Sequence, residues 1–308
     1  MAGVETDRIQ PVDERIPLGS LSLRVFRWSA RPGLTTPSEA LPDFVLVHGL
    51  ASNAKLWDGV ARRLAEAGRN SVAVDLRGHG HSDKPDSGYD FETVSADLAQ
   101  LIGALGLRRP IVAGQSWGAN VVLDLAVRHP DLVRGLVLVD GGLTNMRDTY
   151  PSWDECWERL APPPLVGLPL DTIEGYFRTN HSDWPREGFE GSLGNFDVRP
   201  DRTIAPWLTR ERHKMILHEL WAQHPGELWP RLRVPALVIP VDNGNAEWVA
   251  GKRAGADAAL TDARKNGTPV RVVWFSGDHD IHAQHPGELV EAILEAERSG
   301  FFGEVPPA

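Results

Sequence analysis

Short apolar runs alternate with long amphipathic segments along most of this 308-residue chain, and that alternation restricts the fold more than any other feature. Runs such as FVLV, SVAV, PIVAGQ and GLVLV are rich in valine, isoleucine and leucine, as expected for strands that are covered on both faces. The segments between them, such as NAKLWDGVARRLAEAG and FETVSADLAQLIGALG, are long enough to be crossover helices. The sequence therefore predicts an α/β fold with a mostly parallel, doubly wound sheet, preceded by a strand pair or hairpin in IPLGSLSLRVFRWS.

The pattern changes between residues 145 and 230. This part is rich in proline and aromatic residues, has no strand of the earlier type, and ends in the helical stretch TRERHKMILHELWAQ. Strand signals then return in VPALVIPV and PVRVVWFSG. We therefore predict a core domain in two parts, residues 1–144 and 231–308, and a mainly helical cap at residues 145–230. A connection rich in proline, serine and threonine is predicted at residues 31–43.

The pentapeptide GQSWG, residues 114–118, lies between a predicted strand and a predicted helix. Its glycines permit a sharp, strained turn that exposes Ser116 at the carboxyl edge of the sheet, although a glycine-rich turn with an exposed serine would look similar. Two further segments, one before and one after Ser116, stand in the chain order that a serine hydrolase needs. VLVHGL places the Leu50 amide at this edge, and His279 follows the last strand. We predict Ser116 as nucleophile, His279 as general base, and the Leu50 and Trp117 amides as the oxyanion hole.

The chain resembles α/β-hydrolase fold enzymes with a cap domain, of the esterase, lactonase and epoxide-hydrolase-like type. VLVHGL, DLRGHGHSDKP, GQSWGA, LVLVDGG, VPALVI and GDHDIHAQHP carry the resemblance, in family order, from about residue 15 to about residue 300. Relatives that open epoxides or remove halides have an aspartate at the elbow. Ser116 therefore implies the serine branch, in which an ester or lactone is cleaved through an acyl-enzyme.

The resemblance leaves two candidates for the acid of the triad. In most relatives the acid lies after the strand that corresponds to PALVIPV, in a glycine-x-x-aspartate turn. Here Val241 replaces the glycine, Gly244 replaces the aspartate, and Asp242 stands two places early. A minority of the family takes its acid from the end of the preceding strand, where this chain has Asp140. We favour Asp140 and keep Asp242 as the alternative.

The predicted cap has many aromatic residues for its length. Most are expected to pack within the cap, but some should face Ser116, which favours a hydrophobic or cyclic substrate moiety. Trp117 is expected to form a wall of the acyl pocket. The cap aromatics are Trp153, Trp157, Tyr176, Phe177, Trp184, Phe189, Phe196, Trp207 and Trp221.

Charge and composition disfavour several other classes of protein. The net charge of −10 argues against nucleic-acid and anionic-membrane partners. The N-terminal residues do not read as a signal peptide, and no run is apolar and long enough to cross a bilayer, so we expect a cytoplasmic protein. The single cysteine, Cys156, leaves no intrachain disulfide, and nothing near it would activate a thiolate. We expect a monomer or homodimer that acts on a small hydrophobic ester or lactone.

Two histidine-rich stretches raise the question of a metal site. HGHSD, residues 79–83, contains a His-x-His-x-Asp string, but the family resemblance already explains this turn. In DHDIHAQH, we expect His282 and His285 in the first turns of the last helix, facing solvent or the cap. We therefore predict no catalytic metal. We also predict no cofactor, because GHGHSD lacks the dinucleotide-binding spacing.

Other activities stay open at this stage. A serine carbon-carbon bond hydrolase would use the same triad, but it needs a polar pocket for a second carboxylate, and no arginine for that pocket is evident. Perhydrolysis is a side activity that the same geometry permits, whereas aminopeptidase activity lacks an acidic amine-binding cluster in the cap. The fold can also serve as a ligand receptor with little turnover.

Overall fold

The computed structural model describes residues 9–30 and 44–303, so the predicted connection at residues 31–43 lies outside the described residues. The strands of the described residues are β1 (Val12–Leu18), β2 (Leu21–Trp28), β3 (Phe44–Val47), β4 (Ser71–Val74), β5 (Ile111–Gln115), β6 (Gly135–Val139), β7 (Phe196–Val198), β8 (Ile204–Pro206), β9 (Ala236–Ile239), β10 (Val241–Asp242), β11 (Val270–Val272) and β12 (Phe275–Ser276).

The α-helices of the same residues are α1 (Asp58–Glu66), α2 (Phe91–Ala104), α3 (Trp117–Arg128), α4 (Met146–Thr149), α5 (Trp153–Leu160), α6 (Leu170–Asn180), α7 (Arg186–Leu193), α8 (Arg210–Ala222), α9 (Pro225–Leu228), α10 (Ala246–Asn266), α11 (Ile281–Gln284) and α12 (Pro286–Arg298). Short 3-10 helices cover Ala54–Trp57, Pro130–Leu132 and Trp229–Arg231. None of these helices is both long and apolar enough to span a bilayer.

An eight-stranded sheet, in the order β1-β2-β4-β3-β5-β6-β9-β11, forms the centre of the fold. The β1–β2 and β2–β4 pairs are antiparallel, and every later pair in that order is parallel. The predicted mostly parallel α/β sheet is therefore confirmed. Because the central strands are parallel, their carboxyl ends meet at one edge, where ligand sites of such sheets form.

Alternate residues of the central strands enter two separate hydrophobic cores. In β3, Val45 and Val47 pack on the side of α2, α3 and α10, whereas Phe44 and Leu46 pack on the side of α1 and α12. Helices therefore cover both faces of the sheet, which explains why its strands are apolar without a polar alternation.

The predicted strand PVRVVWFSG is divided in two. Its first part, β11, pairs with β9 at the edge of the main sheet, and its second part, β12, pairs with β10 in a separate parallel pair. The division coincides with Pro240, which lies between β9 and β10 and has no amide hydrogen to donate to the ladder. Its carbonyl still accepts a 3.0 Å bond from the Phe275 amide, so the two segments stay side by side.

Residues 145–230 fold into helices α4 to α9 and the antiparallel hairpin β7–β8. The strands of this hairpin have three residues each, which is too short to produce a recognisable period in the sequence. Ile216 and Leu228 from this part belong to the same buried cluster as α2 and α3. The inserted part therefore packs onto the core instead of standing apart from it.

We predict that Gly114→Ala destabilises the protein. A Cβ at Gly114 would lie 2.3 Å from the Gly118 carbonyl oxygen, so the backbone itself would have to move, at a cost of about 1–3 kcal/mol. Gly103→Ala is the matched control, because this exposed glycine in α2 has open space around it and alanine favours helix by about 0.5–1 kcal/mol. Urea unfolding midpoints of the two variants would measure the difference; equal midpoints would contradict the close approach.

Candidate active site

Ser116 lies on a strained turn between β5 and α3. Its φ of 53° and ψ of −122° are unusual for any residue with a side chain, and such strain is typical of functional sites. The Ser116 amide donates to the Val139 carbonyl at 2.9 Å, which ties the turn to β6. A Cβ at Gly118 would lie 2.4 Å from the His48 carbonyl oxygen, so only glycine permits the helix to start this close to β3. The elbow is therefore held by backbone contacts on both sides.

Two backbone amides point to an oxyanion hole beside Ser116. Trp117 is the first residue of α3, so its N–H has no acceptor within the helix and lies at the positive end of the helix dipole. The Leu50 amide likewise has no hydrogen-bond acceptor among residues 9–30 and 44–303. The loop carrying it is close, because a Cβ built at Gly49 would be 3.1 Å from the Ser116 Cβ. In the described part of the chain neither amide has a hydrogen-bond acceptor, so each can bind a substrate oxygen.

The fully buried His48 holds one side of this loop. Its Nε2 accepts a 3.0 Å bond from the Leu76 amide, so the proton must be on Nδ1, which donates to the Gly49 carbonyl at 2.7 Å. Burial lowers the pKa of His48 and keeps the imidazole neutral, as this pair of bonds requires.

His79 holds the other side in the same way. The Ala51 amide donates to its Nε2 at 3.3 Å, and its Nδ1 donates to the Arg77 carbonyl at 3.0 Å. Burial, and then the proximity of other basic groups, lower the pKa of His79 well below its ordinary value. The two imidazoles thus bind the residues before and after Leu50 and orient its peptide. The sequence had drawn attention to His79 only as a possible metal ligand.

The structure brings Asp140 to His279. The Asp140 Oδ2 lies 2.6 Å from the His279 Nδ1, while its Oδ1 accepts a 2.8 Å bond from the Val241 amide. The Lys252 ammonium lies 2.9 Å from Oδ2 and 2.8 Å from Oδ1. Burial alone would raise the pKa of Asp140, but the His279 hydrogen bond and the two positive partners outweigh it and lower the pKa.

Asp242, the alternative acid, is engaged elsewhere. Its carboxylate accepts a 3.0 Å bond from the Gly244 amide, and its carbonyl accepts one from the Gly277 amide at 3.2 Å. In the described part of the chain, it makes no hydrogen bond to His279. The pairing of β10 with β12 places Asp242 beside the histidine loop without directing its side chain to the ring.

His279, the predicted base, has a raised pKa. Its carbonyl accepts a 3.1 Å bond from the Gln115 side chain, which anchors the loop to the residue before the nucleophile. The side chain is 51% exposed, yet it forms part of a cavity wall. Partial desolvation there and the positive charge of Lys252 lower the pKa of His279. The hydrogen bond of Asp140 and the charges of Asp280 and Asp140 outweigh these effects, so the pKa is raised.

Contacts from the cap support the same loop. The Trp184 indole donates to Asp278 Oδ2 at 2.7 Å, and His181 Nδ1 lies 3.2 Å from the same oxygen. Gln284 accepts from the Asp278 amide at 2.6 Å and donates to Asp183 at 2.6 Å. No sequence motif marks these residues, since they are about a hundred positions apart in the chain.

A cavity of about 350 Å³ opens over Ser116 and His279. Its wall is mostly apolar, and the cap contributes to it through α4, α5 and α8. The apolar side chains are Leu50, Trp117, Leu143, Met146, Leu160, Leu217, Leu220 and Trp248, and the polar ones besides the predicted triad are Asn120, Thr144, His213, Asn243 and Lys252. Trp117 lies in this wall, as expected.

The expectation that some cap aromatics face Ser116 is wrong. None of the nine, from Trp153 to Trp221, lines the cavity among the described residues. They pack against one another and against cations instead: the rings of Trp153 and Trp221 are 6.1 Å apart, and Arg210 covers the Trp157 ring at 4.8 Å. From α8 it is His213, Leu217 and Leu220 that line the cavity.

The second histidine-rich stretch also differs from expectation. His282 does not face solvent but is fully buried, with its ring centroid 4.5 Å from that of Trp57. Burial lowers the pKa of His282 to about 3, so the ring is neutral. His285 is partly exposed, 3.6 Å from Glu288. Within the described ranges, no three histidine, cysteine, aspartate or glutamate side chains are grouped so that they could hold a metal ion.

We predict opposite shifts in the pKa of His279 from two substitutions. Asp140→Asn removes the negative partner and should lower the pKa, whereas Lys252→Met removes an opposing positive charge and should raise it. Asp242→Asn is the control and should leave it nearly unchanged. NMR titration of the His279 ring would measure its pKa in all three variants. A larger shift in Asp242→Asn than in Asp140→Asn would transfer the pairing to Asp242.

Sequence comparison relates this chain to known hydrolases. Residues 42–168 match the family described as alpha/beta hydrolase fold. A 2-(acetamidomethylene)succinate hydrolase of Mesorhizobium japonicum is 33% identical over 129 residues, which are 42% of this chain and 42% of that protein. An esterase of Mycobacterium tuberculosis is 36% identical over 131 residues, 42% of this chain and 39% of that protein. The chain thus matches less than half the length of these relatives.

Solved structures extend the likeness to nearly the whole chain. The crystal structure of an E-2-(acetamidomethylene)succinate hydrolase superposes with a TM-score of 0.73 at 22% identity, covering 92% of this chain and 98% of that one. A structure of an M. tuberculosis esterase gives a TM-score of 0.68 at 22% identity, covering 94% and 92%. At this identity the superpositions show the fold alone. Nearly the whole chain therefore has the fold of these hydrolases, and its residues 42–168 match the alpha/beta hydrolase fold family.

Proposed function

We propose that this protein is a serine hydrolase that cleaves a carboxylic ester or lactone with a hydrophobic or cyclic moiety through an acyl-enzyme. One observation carries the proposal: Ser116 on its strained elbow and His279 bonded to Asp140 line the same cavity, beside two backbone amides that have no acceptor among the described residues. A nucleophile, a base with its orienting acid, and donors for an oxyanion are the parts that acyl transfer requires.

The reaction follows from these positions. His279 takes the Ser116 hydroxyl proton as Oγ attacks the substrate carbonyl, and the Leu50 and Trp117 amides bind the resulting oxyanion. The imidazolium then protonates the leaving alcohol, which in a lactone stays attached to the acyl group. Water, deprotonated by the same histidine, hydrolyses the acyl-enzyme and restores Ser116. Asp140 stabilises the imidazolium through its 2.6 Å contact to Nδ1.

The cavity favours a small, largely apolar substrate. Its volume of about 350 Å³ is near the lower end for ligand pockets, and most of its wall is leucine, methionine and tryptophan. No arginine lines it in the described part of the chain, and its one lysine, Lys252, is paired with Asp140. This supports an ester or lactone over a carbon-carbon hydrolase substrate with a second carboxylate. The proposed ester or lactone substrate also differs from the dicarboxylate in the name of the M. japonicum relative.

Ser116→Ala and His279→Ala should each reduce kcat on p-nitrophenyl esters and aryl lactones by more than about 10³-fold, because each residue makes or breaks a bond in the reaction. Ser87→Ala, which alters an exposed serine outside the cavity, should keep full activity. Steady-state rates on a panel of short-chain, long-chain and aryl substrates would test this. Activity that survives in Ser116→Ala would refute the mechanism, and a folded wild type without turnover would favour a receptor.

The acid is tested by a second pair of variants. Asp140→Asn should lower kcat by about 10²- to 10⁴-fold, because the amide cannot stabilise the imidazolium and favours the wrong tautomer. Asp242→Asn should stay within about threefold of wild type, in the range typical of a substitution outside the reacting groups. The same ester assay serves for both, and the reverse ranking would assign the role to Asp242.

A further inference from the structure

His213 of the cap helix α8 is a buried histidine that faces the cavity without a protein partner. Its side chain lines the cavity, the residue is 8% exposed, and its imidazole makes no hydrogen bond to any part of the chain that the structure describes. A mostly buried imidazole without a protein partner is uncommon unless water or a ligand in the cavity completes its hydrogen bonds. The unpaired His213 ring is therefore a candidate binding group for a ligand in the cavity.

The other polar groups at the site do not share this property. Each of the buried imidazoles of His48 and His79 has both ring nitrogens bonded. The Asn120 amide donates to Gln223 at 2.6 Å and accepts from the Gly142 N–H at 3.0 Å. The remaining polar side chains, Thr144, Asn243 and Lys252, are either less buried or already paired.

His282 provides an instructive comparison. It is buried and both of its ring nitrogens lack a partner, but it does not line the cavity. A ligand cannot reach it through the cavity that contains Ser116, whereas the same ligand would contact His213 directly. Among the histidines of the described residues, only His213 combines burial, an unpaired ring and access to the cavity.

We propose that His213 binds a second, uncharged polar group of the substrate, such as a ketone carbonyl or a hydroxyl, by a hydrogen bond. This deepens the proposed function, because it specifies the substrate as a mainly apolar ester or lactone with one further oxygen. Recognition of such a group by a neutral ring is directional, so it would set which end of the substrate enters the cavity first.

The charge state of His213 fits an uncharged ligand. Burial, and then the positive charge of Arg210, lower its pKa to about 4, so at neutral pH one ring nitrogen donates and the other accepts. Arg210 itself is turned away, since its guanidinium donates to the Pro162 carbonyl and covers the Trp157 ring. With Lys252 paired to Asp140, a ligand carboxylate would meet no free cation in the wall.

The position of His213 also defines how the substrate would lie. Leu217 and Leu220 follow at the i+4 and i+7 positions of α8 and line the same cavity. The polar group of the substrate would therefore lie toward the N-terminal end of α8, and its apolar part along the two leucines.

The test compares binding of matched esters in a Ser116→Ala background, in which turnover does not interfere. The probes are p-nitrophenyl 4-oxopentanoate against pentanoate, and 5-oxohexanoate against hexanoate, with Kd measured by calorimetry. In at least one of the two pairs, we expect the oxo ester to bind about 3- to 10-fold more tightly than its oxo-free partner, which is the range of one neutral hydrogen bond.

Adding His213→Leu should reduce this ratio to about 1, and adding His213→Gln should keep part of it, because the amide still donates and accepts. His218→Leu is the control: this histidine on the same helix is outside the cavity and half exposed, so the ratio should persist. Circular dichroism checks that each variant is folded. If His213→Leu does not fold, the Kd ratio measured in His213→Gln decides the outcome.

Equal Kd values within both pairs, or an unchanged ratio in the folded His213 variants, would overturn the proposal. So would tighter binding of the anionic mono-p-nitrophenyl glutarate than of the oxo esters. Failure of the proposed function would appear differently, as a wild type that hydrolyses none of these esters. The binding ratios in Ser116→Ala do not depend on that result.

Discussion

The buried carboxylate of Asp140 is the point on which the geometry of the site depends. It binds the His279 ring, the Val241 amide and the Lys252 ammonium at distances of 2.6 to 2.9 Å. These partners come from the histidine loop, from β10 and from α10, so one side chain at the end of β6 joins three later segments. A charge this deeply buried is tolerable only when its oxygens are paired, and here both are. The same bonds that hold the segments together also orient the proposed base.

Four histidines near the site differ in charge and role because their surroundings differ. His48 and His79 are enclosed by backbone groups that require a neutral ring, and they orient the loop of the Leu50 amide. Burial and a nearby cation keep His213 neutral as well, but with no partner in the described chain. The carboxylate at His279 raises its pKa instead. Residue type alone therefore says little about histidine function; desolvation and neighbouring charge decide it.

The cap acts on the site in two ways. Its inner surface, from α4, α5 and α8, closes an apolar cavity over Ser116, while His181 and Trp184 bind Asp278 next to the proposed base. The same inserted segment thus lines the cavity and supports the histidine loop. Most cap aromatics serve neither purpose directly, since they form the packing that keeps the short helices together.

The sequence alone determined the sheet, its covering helices and the elbow at Ser116, because these depend on local signals: apolar runs, helical periodicity and glycines at close approaches. It left Asp140 and Asp242 open and misjudged the cap aromatics and His282. Those outcomes depend on contacts between residues up to 139 positions apart, such as that of Asp140 with His279. Only the tertiary structure decides which side chain reaches a ring or lines a cavity, because strand register and helix packing set those directions.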